Sequence, residues 1–448
     1  MKRILLLSGL LIAVMAASAA GKVYTLEECI QMALEKDPAV TQARSRVSVA
    51  KATVWEQAGA FLPTASLYYS SSQTNSGPEA PRLEIVTIRD TITGEYRNEL
   101  VNTANPNSLI RKGFGAGISF DYTLFNGFQN VWNYLGSRAS KRQTAFDLTS
   151  SRSKLIFDVK TSYYIVLKAK RDLEVAQDVV KRSEELLKLF QEKYDLGSAS
   201  LSEVLKQKVQ YGNDKLTLIT KENELEIYYD NLALAVGLDP RQVFEIANLE
   251  LRREPAQDID KLIAESKQWH PGILAAEASE DASVYDVRST RGTYLPTLGL
   301  SYSYGWRKDF FHDIVKGGPF DHSGTLQLTL NFRLFDGFSR ERNMARATAT
   351  LNDSRAQLYY VRNQVIRNLE DAYLGIKLAD EKLAVTEETE RWAKEDFDLV
   401  QAKYNLGAAA LWELLDAQVS LKEAQFGKVG AEFDYNLALA LLQNALGK

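Results

Sequence analysis

Two carboxylates, Glu413 and Asp416, lie three residues apart near the C-terminal end of the chain, shortly after a glycine-containing turn. At that spacing two side chains share one face of a helix. Several copies of such a pair around one axis would concentrate negative charge and attract cations. The same acids also suit the first turn of a helix, where the helix dipole favours negative charge, so both interpretations stay open.

Other reactive side chains are too few to build a catalytic centre. The chain has three histidines and one cysteine, Cys29, and no nucleophile stands beside a base in a recognisable pattern. His312 and His322 have aspartates nearby, but such loop side chains are usually solvated, and neither a metal nor a cofactor is predicted. The formal net charge of −4 lacks the basic excess that a nucleic-acid surface requires.

The N-terminus predicts a cleaved secretory signal over residues 1–20. A basic start is followed by an apolar stretch and then by small residues at 17–19. The apolar stretch is shorter than the roughly 20 residues that a membrane-spanning helix needs. Cys29 follows a glutamate instead of a small residue, which disfavours lipidation, and a single cysteine excludes an intrachain disulfide.

The remaining chain repeats itself with two offsets. DPAV at 37–40 and FLPT at 61–64 recur as HPGI at 270–273 and YLPT at 294–297, and both matches share one offset, the longer of the two. LFNGF at 124–128 and KYDLG at 193–197 recur as LFDGF at 334–338 and KYNLG at 403–407, and both share the shorter offset. We therefore predict a first repeat over 21–237, a linker over 238–260 and a second repeat over 261–448, each reading helix, strand, strand, long helix, turn, long helix.

Four segments alternate between apolar and polar residues with the period of a β-strand: 64–72, 114–124, 298–306 and 325–334. Each predicted strand therefore has one apolar face and one polar face. Strands of about ten residues with aromatic ends are typical of membrane-spanning strands, although a soluble antiparallel sheet packed on a core is the alternative.

Four strands are too few to close a barrel. Lipid does not tolerate unpaired backbone groups, so an open sheet edge cannot lie in a membrane. Copies of the chain must then pool their strands, giving eight with two copies or twelve with three. Side chains fill an eight-stranded barrel, so a duct for solutes favours three copies.

Long heptad patterns occupy the rest of each repeat. Val159, Val166, Leu173, Val180 and Leu187 recur every seven residues, and the second repeat keeps the same step from Leu351 onwards. A helix over 138–195 would be about 85 Å long at 1.5 Å per residue. Such helices favour a tube wall beside barrel strands, and an antiparallel coiled coil that acts only as a spacer is the alternative.

The chain resembles the TolC outer-membrane efflux family in four features taken together. These are its tandem copies, its Leu-Pro-Thr junctions, the Asn-Gly and Asp-Gly pairs between strand and helix, and its Tyr-x-x-Gly turns. The resemblance covers essentially the whole mature chain and depends on the order and spacing of these motifs together. It implies a mainly α fold with membrane β-structure, in which a trimer forms a twelve-stranded barrel continuous with a twelve-helix periplasmic tunnel. The 238–260 linker would lie in a belt around that tunnel, and 73–112 and 308–323 would be surface loops.

The resemblance also implies partners: outer-membrane lipid, a periplasmic adaptor (membrane fusion) protein and an inner-membrane pump driven by protons or ATP. The channel would perform no chemistry, and its cargo stays open between drugs, metals and secreted protein. The alternative function is a secreted coiled-coil scaffold, or another envelope structural protein, without a pore. A periplasmic adaptor is a weaker alternative, because adaptors carry one helical hairpin instead of two full copies.

Three groups of residues have predicted roles: a gate and two docking turns from the resemblance, and lumen residues from the polar faces of their strands. Glu413, Asp416, Glu203 and Tyr404 would form a pore gate, although Ser200 and Glu203 also fit a helix capping box. An arginine that some relatives use in the second turn is replaced here by Ala409. The polar strand residues Asp121 and Arg333 would face the barrel lumen. The adaptor would dock on two turns formed by Leu196, Gly197, Ser198, Ala199, Leu406, Gly407, Ala408 and Ala409.

Overall fold

The computed structural model describes residues 23–77, 82–102, 109–249, 258–316 and 322–448, so the predicted signal peptide lies outside the described residues. These residues form two compact units, each of which draws on both repeats. One unit combines the chain up to Lys51 with Ala139–Asp281 and Asn352–Lys448, and the other combines Ala52–Arg138 with Ala282–Leu351. Within the described ranges, no helix has both the length and the apolar character needed to cross a membrane.

Helices make up most of the described chain. The two longest, α3 and α8, each have 67 residues, and the shorter offset relates both their first and their last residues. In chain order the helices are Leu26–Lys36 (α1), Pro38–Gly59 (α2), Gln129–Asp195 (α3), Leu201–Val236 (α4), Ile259–Trp269 (α5), Pro271–Gly292 (α6), Phe311–Lys316 (α7), Ser339–Asn405 (α8) and Leu411–Ala445 (α9).

Each repeat opens with two helices where the sequence predicted one. Asp37 and His270, the residues before Pro38 and Pro271, have extended backbones with ψ of 130° and 122°. A proline ring clashes with a helical residue in front of it, whereas proline is well suited to the first position of a new helix. The Asp37 carboxylate also accepts a hydrogen bond of 2.8 Å from the Val40 amide and so caps the second helix.

Within the described ranges the strands form three separate sheets. β1 and β6 pair in parallel, β3 and β4 form a hairpin, and the largest sheet has the antiparallel order β2-β5-β7-β8. The strands are Val23–Tyr24 (β1), Thr64–Ser76 (β2), Leu83–Arg89 (β3), Tyr96–Asn102 (β4), Leu109–Phe125 (β5), Glu245–Ile246 (β6), Thr297–Lys308 (β7) and His322–Asn331 (β8).

The register of the four-stranded sheet confirms the predicted alternation. Since directly opposed residues lie on the same face of a sheet, a single row across the strands identifies each face. One row is apolar and consists of Ala65, Phe120, Tyr302 and Leu326. The adjacent row is polar and consists of Ser66, Ser119, Ser303 and Thr325.

Two predicted loops are wrong in part. The range 73–112 contains the end of β2, the β3-β4 hairpin and the start of β5, and the range 308–323 contains α7 and the first residues of β8. Alternation in 83–102 is weak because charged and apolar side chains occur on both faces of the hairpin. A tight turn closes it, in which the Asp90 carboxylate accepts hydrogen bonds from the amides of Ile92 and Thr93.

The predicted fourth strand is also wrong at its end, because β8 stops at Asn331 and Arg333 lies beyond it. Asn331 pairs with Thr297, the first residue of β7, so β8 has no described partner strand past that point. β5 continues further, to Phe125, because it has a second neighbouring strand, β7, with which its last residues pair.

The apolar core of the first unit surrounds α3. Val159 and Val166, two of the predicted heptad positions, are fully buried together with Tyr163 between them. The Tyr163 hydroxyl donates a hydrogen bond of 2.7 Å to the Ala247 carbonyl and so ties α3 to the chain that follows β6. Cys29 of α1 belongs to the same core, with 1% of its surface exposed.

We expect the Cys29 thiol to resist alkylation in the folded protein. Burial, helped by the neighbouring Glu28 carboxylate, raises its pKa from 9.0 to about 11. At pH 8 it would carry roughly 100-fold less thiolate than an ordinary cysteine, and the thiolate is the reactive form. Mass spectrometry after iodoacetamide treatment should show slow labelling in the native protein and rapid labelling in urea. Equally fast labelling in both conditions would contradict the buried position.

Candidate functional site

The two turns that join the long helices have the same backbone. Gly197 and Gly407 both have φ of 75°, a left-handed conformation that glycine adopts without steric cost. The amides of Ser198 and Ala408 each donate a hydrogen bond of 2.8 Å back to a lysine carbonyl five residues earlier. These are the bonds of a Schellman helix end, which satisfies carbonyls that the helix leaves free.

The tips of these turns present apolar side chains to solvent. Leu196 is 83% exposed and Leu406 is 85% exposed, each directly before the left-handed glycine. The remaining predicted tip residues are small, and Ala199 and Ala409 are half-buried. The eight residues predicted as docking tips therefore lie together on two matching, exposed turns.

The helix after each turn has a glutamate as its third residue. Ser200 and Glu203 form the predicted capping box, in which the Glu203 carboxylate accepts a hydrogen bond of 2.6 Å from the Ser200 amide. Ala410 has no side-chain acceptor, so α9 keeps half of the box, a bond of 3.4 Å from the Ala410 amide to Glu413. Glu413 thus acts as a first-turn acid, and Asp416 is exposed one turn further on.

Tyr404 joins the two turns. Its ring packs on Phe190 with centroids 5.2 Å apart, and the Lys193 ammonium lies 4.6 Å from its centroid. Burial, the nearby negative charge of Glu203 and a hydrogen bond between the two side chains raise the pKa of Tyr404 to about 12. The phenol therefore stays protonated at physiological pH and donates to Glu203. Two of the four predicted gate residues are brought together in this way.

Lys193 is a site residue that sequence reasoning missed. Besides its contact with Tyr404, its ammonium donates a hydrogen bond of 3.3 Å to the Asn405 side chain in the other turn. It supplies a cation to the second turn, where the sequence has no arginine. The signal was present in the repeated KYDLG and KYNLG motifs, but it did not reveal that the first lysine would cross to the opposite turn.

A buried ion pair between helices was missed as well. The Asp214 side chain of α4 is fully buried, and the Lys422 ammonium of α9 lies 3.2 Å from its carboxylate. The Gln210 side chain donates to the same carboxylate at 3.2 Å and 3.3 Å. A charge is tolerated in such a place only when it is paired and hydrogen-bonded.

In the other unit, the polar face of the sheet contains one predicted lumen residue within a strand. Asp121 of β5 is exposed and lies opposite Thr64 and Ser301. Arg333, the other, lies beyond the end of β8. The Tyr68 hydroxyl lies on this face over two opposed glycines, 2.7 Å and 2.8 Å from where Cβ atoms on Gly117 and Gly305 would be.

A sheet with one apolar face and repeated long helical hairpins are together typical of a membrane channel. The chain belongs to the outer membrane efflux protein family, whose sequence profile matches residues 29–238 and 262–448. Members of this family are outer-membrane channels and not enzymes. The chain is accordingly an outer-membrane exit channel of an efflux or secretion system, with a large helical periplasmic portion.

Individual relatives agree with this assignment. The outer membrane protein TolC of Vibrio cholerae is 21% identical over 435 residues, which cover 94% of this chain and 90% of the relative. The pyoverdine export outer membrane protein OpmQ of Pseudomonas aeruginosa is 26% identical and covers 75% of this chain and 68% of the relative. The crystal structure of VceC from Vibrio cholerae has the same fold, with a TM-score of 0.78 at 17% identity over 94% of this chain and 96% of that one.

Proposed function

We propose that three copies of the chain close a twelve-stranded barrel in the outer membrane, with the apolar face of each sheet towards lipid. The observation that carries this proposal is the four-stranded sheet itself, which has one continuous apolar face and two outer strands, β2 and β8, each with a single neighbour in the described chain. Exposed leucines on that face, such as Leu67 and Leu326, would then contact lipid instead of water.

The long helices would form a periplasmic tunnel. Four long helices per chain, α3, α4, α8 and α9, give twelve in a trimer. The 67 residues of α3 or α8 would span about 100 Å at 1.5 Å per residue, far more than a single core requires. Purified protein in detergent should migrate as a heat-modifiable trimer and form conducting channels in planar bilayers. A stable monomer that needs no detergent would overturn the proposal.

At its periplasmic end the tunnel would meet a periplasmic adaptor protein and, through it, an inner-membrane pump. Two exposed leucines on matching turns offer the adaptor the same apolar contact in both repeats. One relative, OpmQ, is named for the export of pyoverdine. The pump would select the cargo, and the channel would transmit it.

We expect the double substitution Leu196→Glu with Leu406→Glu to abolish export while leaving the channel intact. A charge at each exposed tip would have to be desolvated when the adaptor docks. Export of the cognate cargo should fall to the level of a strain without the channel, whereas single-channel conductance should not change. The matched control, Leu196→Met with Leu406→Met, keeps an apolar tip of similar volume and should retain export. Full export by the glutamate variant would remove the tips from the docking surface.

Glu413 and Asp416 would form an acidic gate in the pore. We expect Glu413→Gln with Asp416→Asn to weaken cation selectivity, measured as the reversal potential across a salt gradient in planar bilayers, because the negative charges would line the narrow end of the pore. Glutamine keeps an acceptor for the Ala410 amide, so the helix cap is preserved.

A control of opposite sign comes from the first repeat. Lys206 occupies the position that the shorter offset relates to Asp416, so its charge should oppose that of the acids. Lys206→Gln should therefore raise cation selectivity. An unchanged reversal potential in the Glu413 and Asp416 variant would exclude these residues from the gate.

A further inference from the structure

The two repeats place equivalent residues in equivalent positions. Within the first repeat, Thr64 of β2 is opposite Asp121 of β5, and within the second, Thr297 of β7 is opposite Asn331 of β8. The longer offset of the sequence repeat relates the two threonines, and the shorter offset relates their two partners. In a ring of copies, each contact that the first repeat makes with the second repeat of its own chain therefore predicts an equivalent contact between chains. That contact joins the second repeat of one chain to the first repeat of the next.

One contact from the first repeat to the second is a cation–π pair. The Arg288 guanidinium of α6 lies 4.9 Å from the ring centroid of Trp132 on α3. Tyr285, one helical turn before the arginine, stacks on the same indole with centroids 6.2 Å apart and rings inclined by 17°. An arginine over the face of a tryptophan is the most favourable form of this interaction.

The corresponding positions hold the same two residue types with their places exchanged. The shorter offset relates Trp132 to Arg342 on α8, and the longer offset relates Arg288 to Trp55 on α2. Trp55 is 70% exposed in one chain. Arg342 is also exposed, and its guanidinium donates a hydrogen bond of 3.3 Å to the adjacent Asn343.

We propose that Arg342 of one chain covers Trp55 of a second copy, forming an intermolecular counterpart of the Arg288–Trp132 pair with the cation and the indole on exchanged helices. The inference rests on the proposed ring of copies and specifies a contact that orders them. Two-fold pairing through α8 would oppose two Arg342 guanidinium groups, whereas head-to-tail contact pairs arginine with tryptophan. Head-to-tail contact is the arrangement that generates a ring.

Two glycines provide independent support for this contact. Gly127 and Gly292 pack backbone against backbone within the chain, so that a Cβ on either residue would overlap the other's carbonyl oxygen. Their counterparts are Gly337 and Gly59, and in one chain a Cβ on either would meet no described atom within 4 Å. Gly59 has no left-handed backbone that would require glycine. Close approach of Gly337 from a second copy would explain why residue 59 is a glycine.

The strand edges fit the same arrangement. Ile118 of β5 is opposite Tyr304 of β7, and the corresponding intermolecular pair is Leu328 of β8 opposite Ser71 of β2. In this register Phe332 would be opposite Leu67 on the apolar face. The four residues after Asn331 would then gain the partner strand that the end of β5 already has.

The first test exchanges the two residue types in the full-length protein. Trp55→Arg alone and Arg342→Trp alone should each lower the temperature at which the detergent-resistant oligomer dissociates, because the first opposes two guanidinium groups and the second removes the cation from the indole face. Combining both substitutions should restore it to near the wild-type value. Failure of the combined variant to recover, or unchanged dissociation in the single variants, would overturn the contact. The proposed function would still stand in either case, provided that the wild-type protein forms the trimer.

The second test fixes the register by cross-linking. In a Cys29→Ala background, Ser71→Cys with Leu328→Cys should give an intermolecular disulfide, seen as covalent oligomers on non-reducing gels. The control, Ser71→Cys with Gln327→Cys, shifts one partner to the opposite face and should not cross-link. Cross-linking only in the control, or in neither variant, would reject the register. Absence of any oligomer in the wild-type protein would instead count against the proposed ring.

Discussion

A chain carrying Gly117→Val should fail to assemble its four-stranded sheet. Gly117 of β5 is directly opposite Gly305 of β7, and the Tyr68 hydroxyl lies over both. A Cβ at Gly117 would be 2.6 Å from the Tyr304 carbonyl oxygen and 2.8 Å from the Gly305 Cα. Both of these atoms belong to the backbone, so the strands themselves would have to separate.

The expected cost is about 3 kcal/mol or more, since overpacking of a close-packed site typically costs about 1–3 kcal/mol even where side chains can move. The detergent-resistant oligomer should therefore be lost, and outer-membrane levels of the protein should fall steeply on immunoblots. Gly299→Val is the matched control. Gly299 lies on the same face of β7 as Gly305, but no described atom is within 4 Å of its Cβ position. Normal assembly of both variants would contradict the close glycine contact.

Features that depend on neighbouring residues in the chain could be predicted from the sequence. The alternation of the four strands is local, and the register across them places the predicted apolar residues on one face. The Ser200–Glu203 capping box is equally local, because its two side chains are three residues apart. The end of β8 was predicted wrongly because a strand requires a partner as well as an alternating pattern.

Features that depend on distant residues could not be predicted in the same way. Tyr404 and Glu203 were each singled out, but nothing in either segment indicates that they would share a hydrogen bond or that Lys193 would cover the tyrosine ring. Repeat symmetry does not help, since the residue equivalent to Tyr404 is Tyr194, which is exposed. The two turns share a backbone and differ in the side-chain contacts around it.

The Asp214–Lys422 pair is the most demanding of these distant contacts, and removing one partner should be costly. Asp214→Ala would leave the Lys422 ammonium, whose side chain is 20% exposed, without its counter-charge. Breaking a buried pair in this way typically costs about 3–5 kcal/mol. The thermal midpoint of helix unfolding, followed by circular dichroism in the far ultraviolet in detergent, should fall accordingly.

An exposed pair of the same residue types separates burial from distance. Lys382 and Asp434 are closer, at 2.6 Å, but about half of each side chain is exposed. Asp434→Ala should therefore cost less than about 1 kcal/mol, as is typical of solvated pairs. If distance alone set the strength, Asp434→Ala would be the more damaging substitution, and that result would contradict the prediction.

Replacing both members of the buried pair then distinguishes a stabilising interaction from an avoided penalty. In Asp214→Leu with Lys422→Met, no buried charge is left uncompensated, and exchanges of this kind are often neutral or stabilising. We expect the double variant to recover most of the stability lost in Asp214→Ala. The pair would then add little to the stability of the native packing of α4 against α9. Its effect would be to destabilise any other register of these helices, because that register would leave the two charges apart. A double variant as unstable as Asp214→Ala would show that the ion pair itself stabilises the packing of α4 against α9.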